Sequence, residues 1–336
     1  MRILEQTVRT YTPVDTQRDS TRLRLGASIL GYRLRFTGNL VVTVAATVRE
    51  DAPLNYLRNL EVLLGGSFPL RAHDARFLNF WNRVQYGSPN RLSPPAGGVG
   101  TNAFSANIDV LLEQPDLDPA LGLKRGFLLD SRPLGSLELA VTPGTVTDLI
   151  SAGTATLSAL AINITEMAAQ DVAGVLSRMQ IARVQQAIVA TGVQDLPLFA
   201  GAGVAYRAFA LHFTSGDADP IRATSDDTIL GDLTVIDSRG VRWLDAVPYE
   251  QLREKNRRTY NLESIPAGWV IADFAQDHNI DDLLFTFGIQ NVTVRMNVAA
   301  APANTFVQCY PINALLVPAK TGQRVMAGGR GRALRG

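Results

Sequence analysis

The side chains that most often carry out chemistry are few in this sequence and lie far apart. There are three histidines, His73, His212 and His278, and a single cysteine, Cys309. A metal centre on a β-strand would need a second histidine or a carboxylate two residues from the first, and no histidine here has one. Each histidine is therefore interpreted as a satisfied or solvated side chain. Cys309 lies in an apolar run and has no partner for a disulfide, so it is interpreted as a core residue. The sequence thus predicts no catalytic residue and no organic cofactor.

Acidic side chains are concentrated in a few loops, where their oxygens could bind Ca²⁺. The candidate ligands are Asp217, Asp219, Asp226 and Asp227, with a further acidic turn at Asp277, Asp281 and Asp282. These loops lack the glycine and the distal glutamate of an EF-hand, which favours ordinary solvated turns. Calcium is the one cofactor that the sequence leaves open.

Arginines occur near both ends of the chain. The polar first 24 residues, which we expect to form an extended N-terminal arm, contain Arg2, Arg9 and Arg18. Residues 319–336 have five glycines and no acidic residue, and their arginines are Arg324, Arg330, Arg332 and Arg335. This composition is typical of a flexible tail. Its charge could contact phosphates of lipid or nucleic acid.

The composition of the whole chain narrows the function classes. The chain has 336 residues, of which 46% are hydrophobic and 19% charged, and its formal net charge is +1. A net charge this small gives no overall field that would attract nucleic acid or an anionic membrane. No run of 18 apolar residues is present, so no membrane-spanning helix is expected. The N-terminus lacks an apolar segment, so no secretory signal is expected either.

Strand-like segments recur through the chain at intervals of about 8–12 residues and are separated by Gly and Pro turns, a pattern typical of antiparallel β-sandwiches. Leu40–Val44 is rich in β-branched residues, and residues 155–164 are interpreted as a further strand whose side chains point alternately to its two faces. Regular alternation of strands with helices is absent, which argues against a parallel sheet. The fold class predicted is all-β.

A block of sequence occurs twice, and this repeat organises the prediction. Residues 70–86 and 244–260 share six identical positions without a gap, among them Leu78/Leu252 and Asn82/Asn256. Both blocks are predicted to be short helices, in which His73 and Pro248 stand in the first turn. A second match, residues 34–37 with 211–214, has nearly the same spacing, which indicates a duplicated domain. The prediction is two tandem eight-stranded antiparallel jelly rolls, at 25–170 and 171–318, each with an inserted helix.

With these paired blocks and strands, the chain resembles the double jelly-roll major capsid proteins of tailless icosahedral viruses, most of all the small members of the PRD1/PM2-like lineage. The resemblance is architectural and covers about residues 25–318. It implies homotrimers whose six jelly rolls form pseudo-hexagonal capsomers of a virion shell, with an internal membrane beneath, and no enzymatic activity. It implies as partners neighbouring capsomers and a vertex protein, no specific nucleic-acid sequence, and assembly in the host cytoplasm.

The resemblance also suggests roles for particular residues. The candidates for subunit-interface anchors are Phe80, Trp81, Trp243 and Trp269, although a core position is the default interpretation for each. The arginines of both termini are expected on the inner face of the shell.

Two rival classes stay open from the sequence alone. One is a two-domain jelly-roll carbohydrate-binding protein or hydrolase, which would need aromatic residues and carboxylates along one sheet, whereas the eight tyrosines and three tryptophans are scattered. The other is a bicupin metalloenzyme, which the missing histidine cluster weakens. A stoichiometric metal on a monomer or dimer would favour an enzyme, and a metal-poor trimer would favour a capsid protein.

Overall fold

Alternation of apolar and polar residues produces long antiparallel strands. In the strand Ser28–Val48, the side chains of Tyr32, Leu34 and Phe36 are buried while the residues between them face away from the core, as expected for a period of two. The computed structural model describes residues 2–87, 90–112, 129–170, 178–200, 204–275 and 283–315. Within these ranges the chain forms 21 strands and two α-helices.

The first half of the chain forms one jelly roll. Its elements in the described ranges are β1 (Arg2–Tyr11), β2 (Asp19–Arg22), β3 (Ser28–Val48), β4 (Leu57–Leu64), β5 (Phe68–His73), α1 (Ala75–Tyr86), β6 (Arg91–Ser93), β7 (Gly100–Leu111), β8 (Leu129–Asp130), β9 (Leu137–Pro143) and β10 (Ile150–Gln170). One sheet has the order β1-β10-β3-β7, with the short β6 beside β7 and β8 beside β3, and the other has the order β5-β4-β9-β2. The two sheets enclose an apolar core.

The second half repeats this arrangement. Its elements are β11 (Arg178–Ile181), β12 (Val184–Ile188), β13 (Gly192–Phe199), β14 (Val204–Ser215), β15 (Thr224–Ser225), β16 (Leu230–Asp237), β17 (Arg242–Pro248), α2 (Tyr249–Thr259), β18 (Trp269–Asp273), β19 (Leu284–Phe285), β20 (Asn291–Val298) and β21 (Thr305–Leu315). One sheet contains β12, β21, β14 and β18 in that order, and the other has the order β13-β20-β16-β17. Strand for strand, this is the order of the first half. The predicted pair of eight-stranded jelly rolls, each with one helix at the same place, is confirmed.

The two jelly rolls lie side by side and share one sheet. β5 of the first and β11 of the second run parallel and pair at Arg71 and Ile181. Because both strands begin at the same end of their jelly roll, the two jelly rolls have the same orientation. We call the end at which β1 and β11 begin and β10 and β21 finish the lower end, and the opposite end the upper end.

The repeated blocks coincide with β5–α1 and β17–α2, but each begins as a strand. Residues 70–73 pair with β4 and residues 244–248 with β16, so the prediction of helix throughout both blocks is wrong at their N-terminal ends. His73, expected in the first turn of a helix, is the last residue of β5. The helix begins after Asp74, whose side chain accepts a hydrogen bond from the amide of Phe77. Pro248 likewise precedes α2, in the capping position.

The expected N-terminal arm is part of the first jelly roll. β1 pairs with β10 along its whole length, from Arg2 opposite Gln170 to Tyr11 opposite Ile162, and β2 pairs with β9. Its Thr-rich, mixed-charge sequence suits an edge strand with one solvated face. The predicted tail, residues 319–336, lies outside the described residues.

Candidate assembly surfaces

The histidines and the cysteine that the structure describes are core groups. His73, His212 and Cys309 have no exposed surface. Burial, and then the charge of Arg71, lower the pKa of His73 to about 3, and burial raises the pKa of the Cys309 thiol. His278 lies outside the described residues. Within the described ranges, no three His, Cys, Asp or Glu side chains are grouped so as to hold a metal ion, and no helix there is long and apolar enough to cross a membrane.

The two jelly rolls meet at an apolar junction inside the chain. Helix α1 is apolar on two sides: Ala75 and Leu78 enter the core of the first jelly roll, and a second row faces the second jelly roll. We call this second cluster the junction core, and its main members are Phe77, Phe80, Trp81, Val84, Ala208, Ala210, Trp269, Ile271, Tyr310 and Ile312. The last six of these lie on the outer face of β14, β18 and β21.

Aromatic stacking defines the geometry of the junction core. The rings of Phe80 and Trp269 stack with centroids 4.3 Å apart, and those of Phe77 and Tyr310 at 4.2 Å. On its other side Trp269 stacks on the His212 ring at 4.0 Å. Such pairs contribute about 0.5–1.5 kcal/mol each beyond the burial of their area, so the aromatic contacts stabilise the junction between the two jelly rolls.

A buried carboxylate anchors the start of α1 to the second jelly roll. Asp74 accepts hydrogen bonds from the hydroxyl of Tyr310 at 2.5 Å and from Arg183 at 3.2 Å, in addition to the amide of Phe77. Burial opposes ionisation, but Arg183, the Tyr310 hydroxyl and that amide outweigh it and hold the pKa of Asp74 below its usual range. Burial, and then the Asp74 charge, raise the pKa of Tyr310 well above its ordinary value. Asp74 is thus an ionised, fully paired group within the junction.

Two of the predicted calcium ligands belong to an arginine network across the junction. Asp217 is bound by Arg49 of the first jelly roll at 2.9 Å, and Asp219 by Arg58. The buried carboxylate of Asp148 lies between Arg58, at 3.0 Å, and Arg222, at 2.8 Å. The acidic loop after β14 therefore binds guanidinium groups of the other jelly roll.

The other two calcium candidates have local partners. Asp226 accepts hydrogen bonds from Ser215 and Thr228, both at 2.7 Å. Asp227 accepts from the Tyr249 hydroxyl at 2.6 Å and the Gly268 amide at 2.7 Å. The first pair of carboxylates thus belongs to the arginine network, and the second pair has other partners within the second jelly roll.

The lower end presents exposed aromatic side chains in the second jelly roll. Phe199 and Phe287 are 80% and 85% exposed, and Phe285 and Trp243 are partly exposed. Register places them together, because Phe199 lies opposite Asn291, Phe285 opposite Ala205, and the Trp243 indole N–H points to Asp237 at the end of β16. Phe68 of the first jelly roll is exposed at the same end.

The predicted interface and basic residues are therefore distributed differently from expectation. Phe80, Trp81 and Trp269 are buried inside the chain in the junction core, which is the default interpretation for them and not the interface one, whereas Trp243 is exposed. Arg2 begins β1 at the lower end, but Arg9, which pairs with Asp19, and Arg18, which pairs with Glu61, lie toward the upper end. Arg2 and Arg9 lie seven residues apart on β1, and Arg18 directly precedes β2, so these three arginines are not grouped at one end of the jelly roll. Arg324, Arg330, Arg332 and Arg335 lie outside the described residues.

Comparison with known proteins identifies the fold. No family model and no curated protein matches the chain. Among solved structures, the STIV MCP superposes with a TM-score of 0.72 at 13% identity, over 94% of this chain and 97% of that chain. The major capsid protein P2 from bacteriophage PM2 gives 0.61 at 11% identity, over 95% and 99%. PBCV-1 VP54 gives 0.62 at 11% identity, over 93% of each chain. The chain shares the double jelly-roll fold of these proteins over nearly its whole length.

Proposed function

We propose that this chain is the major capsid protein of an icosahedral virus and that it acts as a homotrimer, a structural tile without enzymatic activity. The observation that carries the proposal is the pair of identically ordered jelly rolls, side by side and equally oriented, in a chain that matches a major capsid protein from end to end. Three such chains supply six similar units, and head-to-tail contacts through a 120° rotation close the ring without leaving a free interface.

The rigid junction supports this role. A tile must keep its two jelly rolls at a fixed angle, and the junction core and the arginine network do so. Burial of aromatic rings such as Phe80 and Trp269 on both sides excludes sliding. Neighbouring capsomers and a separate protein at the five-fold vertices would complete the shell of the virion, assembled in the host cytoplasm.

The lower end is the side that we assign to the inside of the shell, above an internal membrane. Exposed aromatic rings such as Phe199 and Phe287 are suited to the boundary between lipid headgroups and acyl chains. The basic C-terminal segment follows Leu315, so it is attached at this same end and would add attraction to anionic headgroups. The upper end would then face outward.

Two measurements test the proposal. Light scattering after size-exclusion chromatography should give three times the chain mass of 36.3 kDa, and electron microscopy of the purified protein or its source should reveal pseudo-hexagonal tiles or shells. A monomer or dimer that holds a stoichiometric metal would instead favour the enzyme alternative, and a metal-free monomer that binds glycans the carbohydrate-binding one. Flotation with vesicles containing anionic lipid tests the orientation separately: Phe199→Ser with Phe287→Ser should reduce binding, and Val14→Ser at the upper end should not.

A further inference from the structure

The duplication allows the two jelly rolls to be compared position by position. Asn82 in α1 donates to the backbone oxygen of Asp109 in β7 at 2.8 Å, and Asn256 in α2 donates to the backbone oxygen of Ile271 in β18 at the same distance. Asp109 pairs with Arg33 in β3, and Ile271 pairs with Ala210 in β14. The matched sequence blocks and the strand register therefore agree on which residues are equivalent.

With this equivalence, each side of the junction core has a counterpart elsewhere on the chain. The α1 row Phe77, Phe80, Trp81 and Val84 corresponds to Gln251, Glu254, Lys255 and Arg258 on α2. The sheet residues Ala210, Trp269, Ile271 and Tyr310 correspond to Arg33, Asn107, Asp109 and Thr165 on the outer face of the first jelly roll. These eight counterparts are exposed or partly exposed in the single chain.

The two surfaces that correspond to the two sides of the junction core are thus both polar. Each of the two surfaces carries both acidic and basic side chains, namely Glu254, Lys255 and Arg258 on α2, and Arg33, Arg35 and Asp109 on the sheet. From this correspondence we infer that α2 of one chain packs on the β1-β10-β3-β7 sheet of the next chain, a polar version of the contact that α1 makes within the chain. The inference rests on the proposed trimer and names its interface; the occupant is a second copy of this chain.

The internal contact predicts which side chains meet. Phe80 stacks on Trp269, so Glu254 should lie against Asn107. The strand partner of Trp269 is His212, and the strand partner of Asn107 is Arg35. Arg35 is exposed and has no ion-pair partner among the described residues, whereas Glu254 pairs at the surface with Arg257 and Arg258. In the trimer Glu254 binds Arg35 of the neighbouring chain.

Cysteine cross-linking of the full-length protein tests this arrangement. Asn107→Cys with Glu254→Cys in one chain, treated with a short bis-maleimide, should give dimer and trimer bands on a denaturing gel. The native Cys309 is buried and should not react. The control is Ala103→Cys with Glu254→Cys, because Ala103 lies on the same face of β7 four residues, or roughly 13 Å, away. This control should stay monomeric on the gel.

A charge exchange gives a second readout. Arg35→Glu should weaken the trimer about tenfold, because a modest exposed pair is lost at three interfaces, and adding Glu254→Arg to the same chain should restore it. A trimer in solution that gives no 107–254 cross-link would overturn this interface and leave the capsid proposal standing. A protein that is monomeric at all concentrations would overturn both.

Discussion

The asparagine clamp on β18 gives the sharpest test of how the helices hold the sheets. β18 is the last strand on its side of the sheet, so the outward N–H and C=O of Ile271 have no strand partner. Asn256 supplies both missing partners: its amide nitrogen donates to the Ile271 oxygen and its oxygen accepts from the Ile271 N–H, each at 2.8 Å. Asn256 and Ile271 are fully buried, so water cannot replace these bonds.

Asn256→Ala should therefore leave two buried backbone groups without partners. Each such group costs about 1–3 kcal/mol, so the free energy of unfolding should fall by about 4 kcal/mol, measured by urea denaturation. The matched control is Asn82→Ala. There the Asp109 N–H donates to Asn90 instead, and Asn82 donates to the Asp109 oxygen and to the Asn90 side chain. That substitution should cost about 1–2 kcal/mol.

Hydrogen exchange gives the local readout. In Asn256→Ala the Ile271 amide should exchange at least about ten times faster, a factor that corresponds to 1.4 kcal/mol, whereas Leu211, within the central strand, should change less. Equal destabilisation by the two alanine variants, or an unchanged Ile271 amide, would show that the edge strand does not depend on the clamp.

Three further outcomes follow from the burial and charge of single residues. Trp269→Ala should lower the free energy of unfolding by about 3–5 kcal/mol and Trp243→Ala by less than about 1 kcal/mol, and similar losses would contradict the structural role of the junction core. For His73 the folded-state pKa, about 3, lies below the ordinary value of 6.5, so the unfolded chain binds the proton first and stability falls as pH drops from 6.5 toward 3. His73→Phe should reduce that slope by about 1.4 kcal/mol per pH unit, measured by urea denaturation between pH 7 and 5; an unchanged slope would contradict it. Millimolar Ca²⁺ should shift the melting temperature by less than about 1 °C, because arginines already bind Asp217 and Asp219. A rise of several degrees would instead support calcium binding at these carboxylates.

Much of the architecture could be predicted because it depends on patterns among residues that are close together in the sequence. Alternation along β3 and the Gly and Pro turns indicate antiparallel strands, since one face of each strand must be buried. The duplication could be detected because Leu78/Leu252 and Asn82/Asn256 have the same structural roles in both halves. The two leucines pack in the cores, and the two asparagines hold the edge strands. Identity at these positions reflects shared geometry.

The contacts between the halves could not be predicted because they depend on residues distant in sequence. Nothing near Asp219 indicates that Arg58 will bind it, so the loop resembled a calcium site. The first block was predicted to contain a helix from its apolar spacing, but that spacing does not reveal that Phe80 and Trp81 face a second domain. One signal was available: those positions are Glu254 and Lys255 in the second copy, which marks them as covered in one half and exposed in the other.

This asymmetry has a physical logic for a protein that must fold before it assembles. The internal contact forms at once, because the chain tethers its two sides at high effective concentration, and it can be apolar without risk. In the proposed trimer, the equivalent contact between chains would stay open until neighbours arrive. If α2 carried an apolar row like that of Phe77, Phe80 and Trp81 on α1, every free subunit would expose an apolar patch, which favours aggregation. The polar row Glu254, Lys255 and Arg258 keeps that surface soluble and lets wrongly placed subunits dissociate, because each exposed ion pair is weak. Closing the proposed ring would make all three contacts together, so that stability would be gained only by the correct assembly.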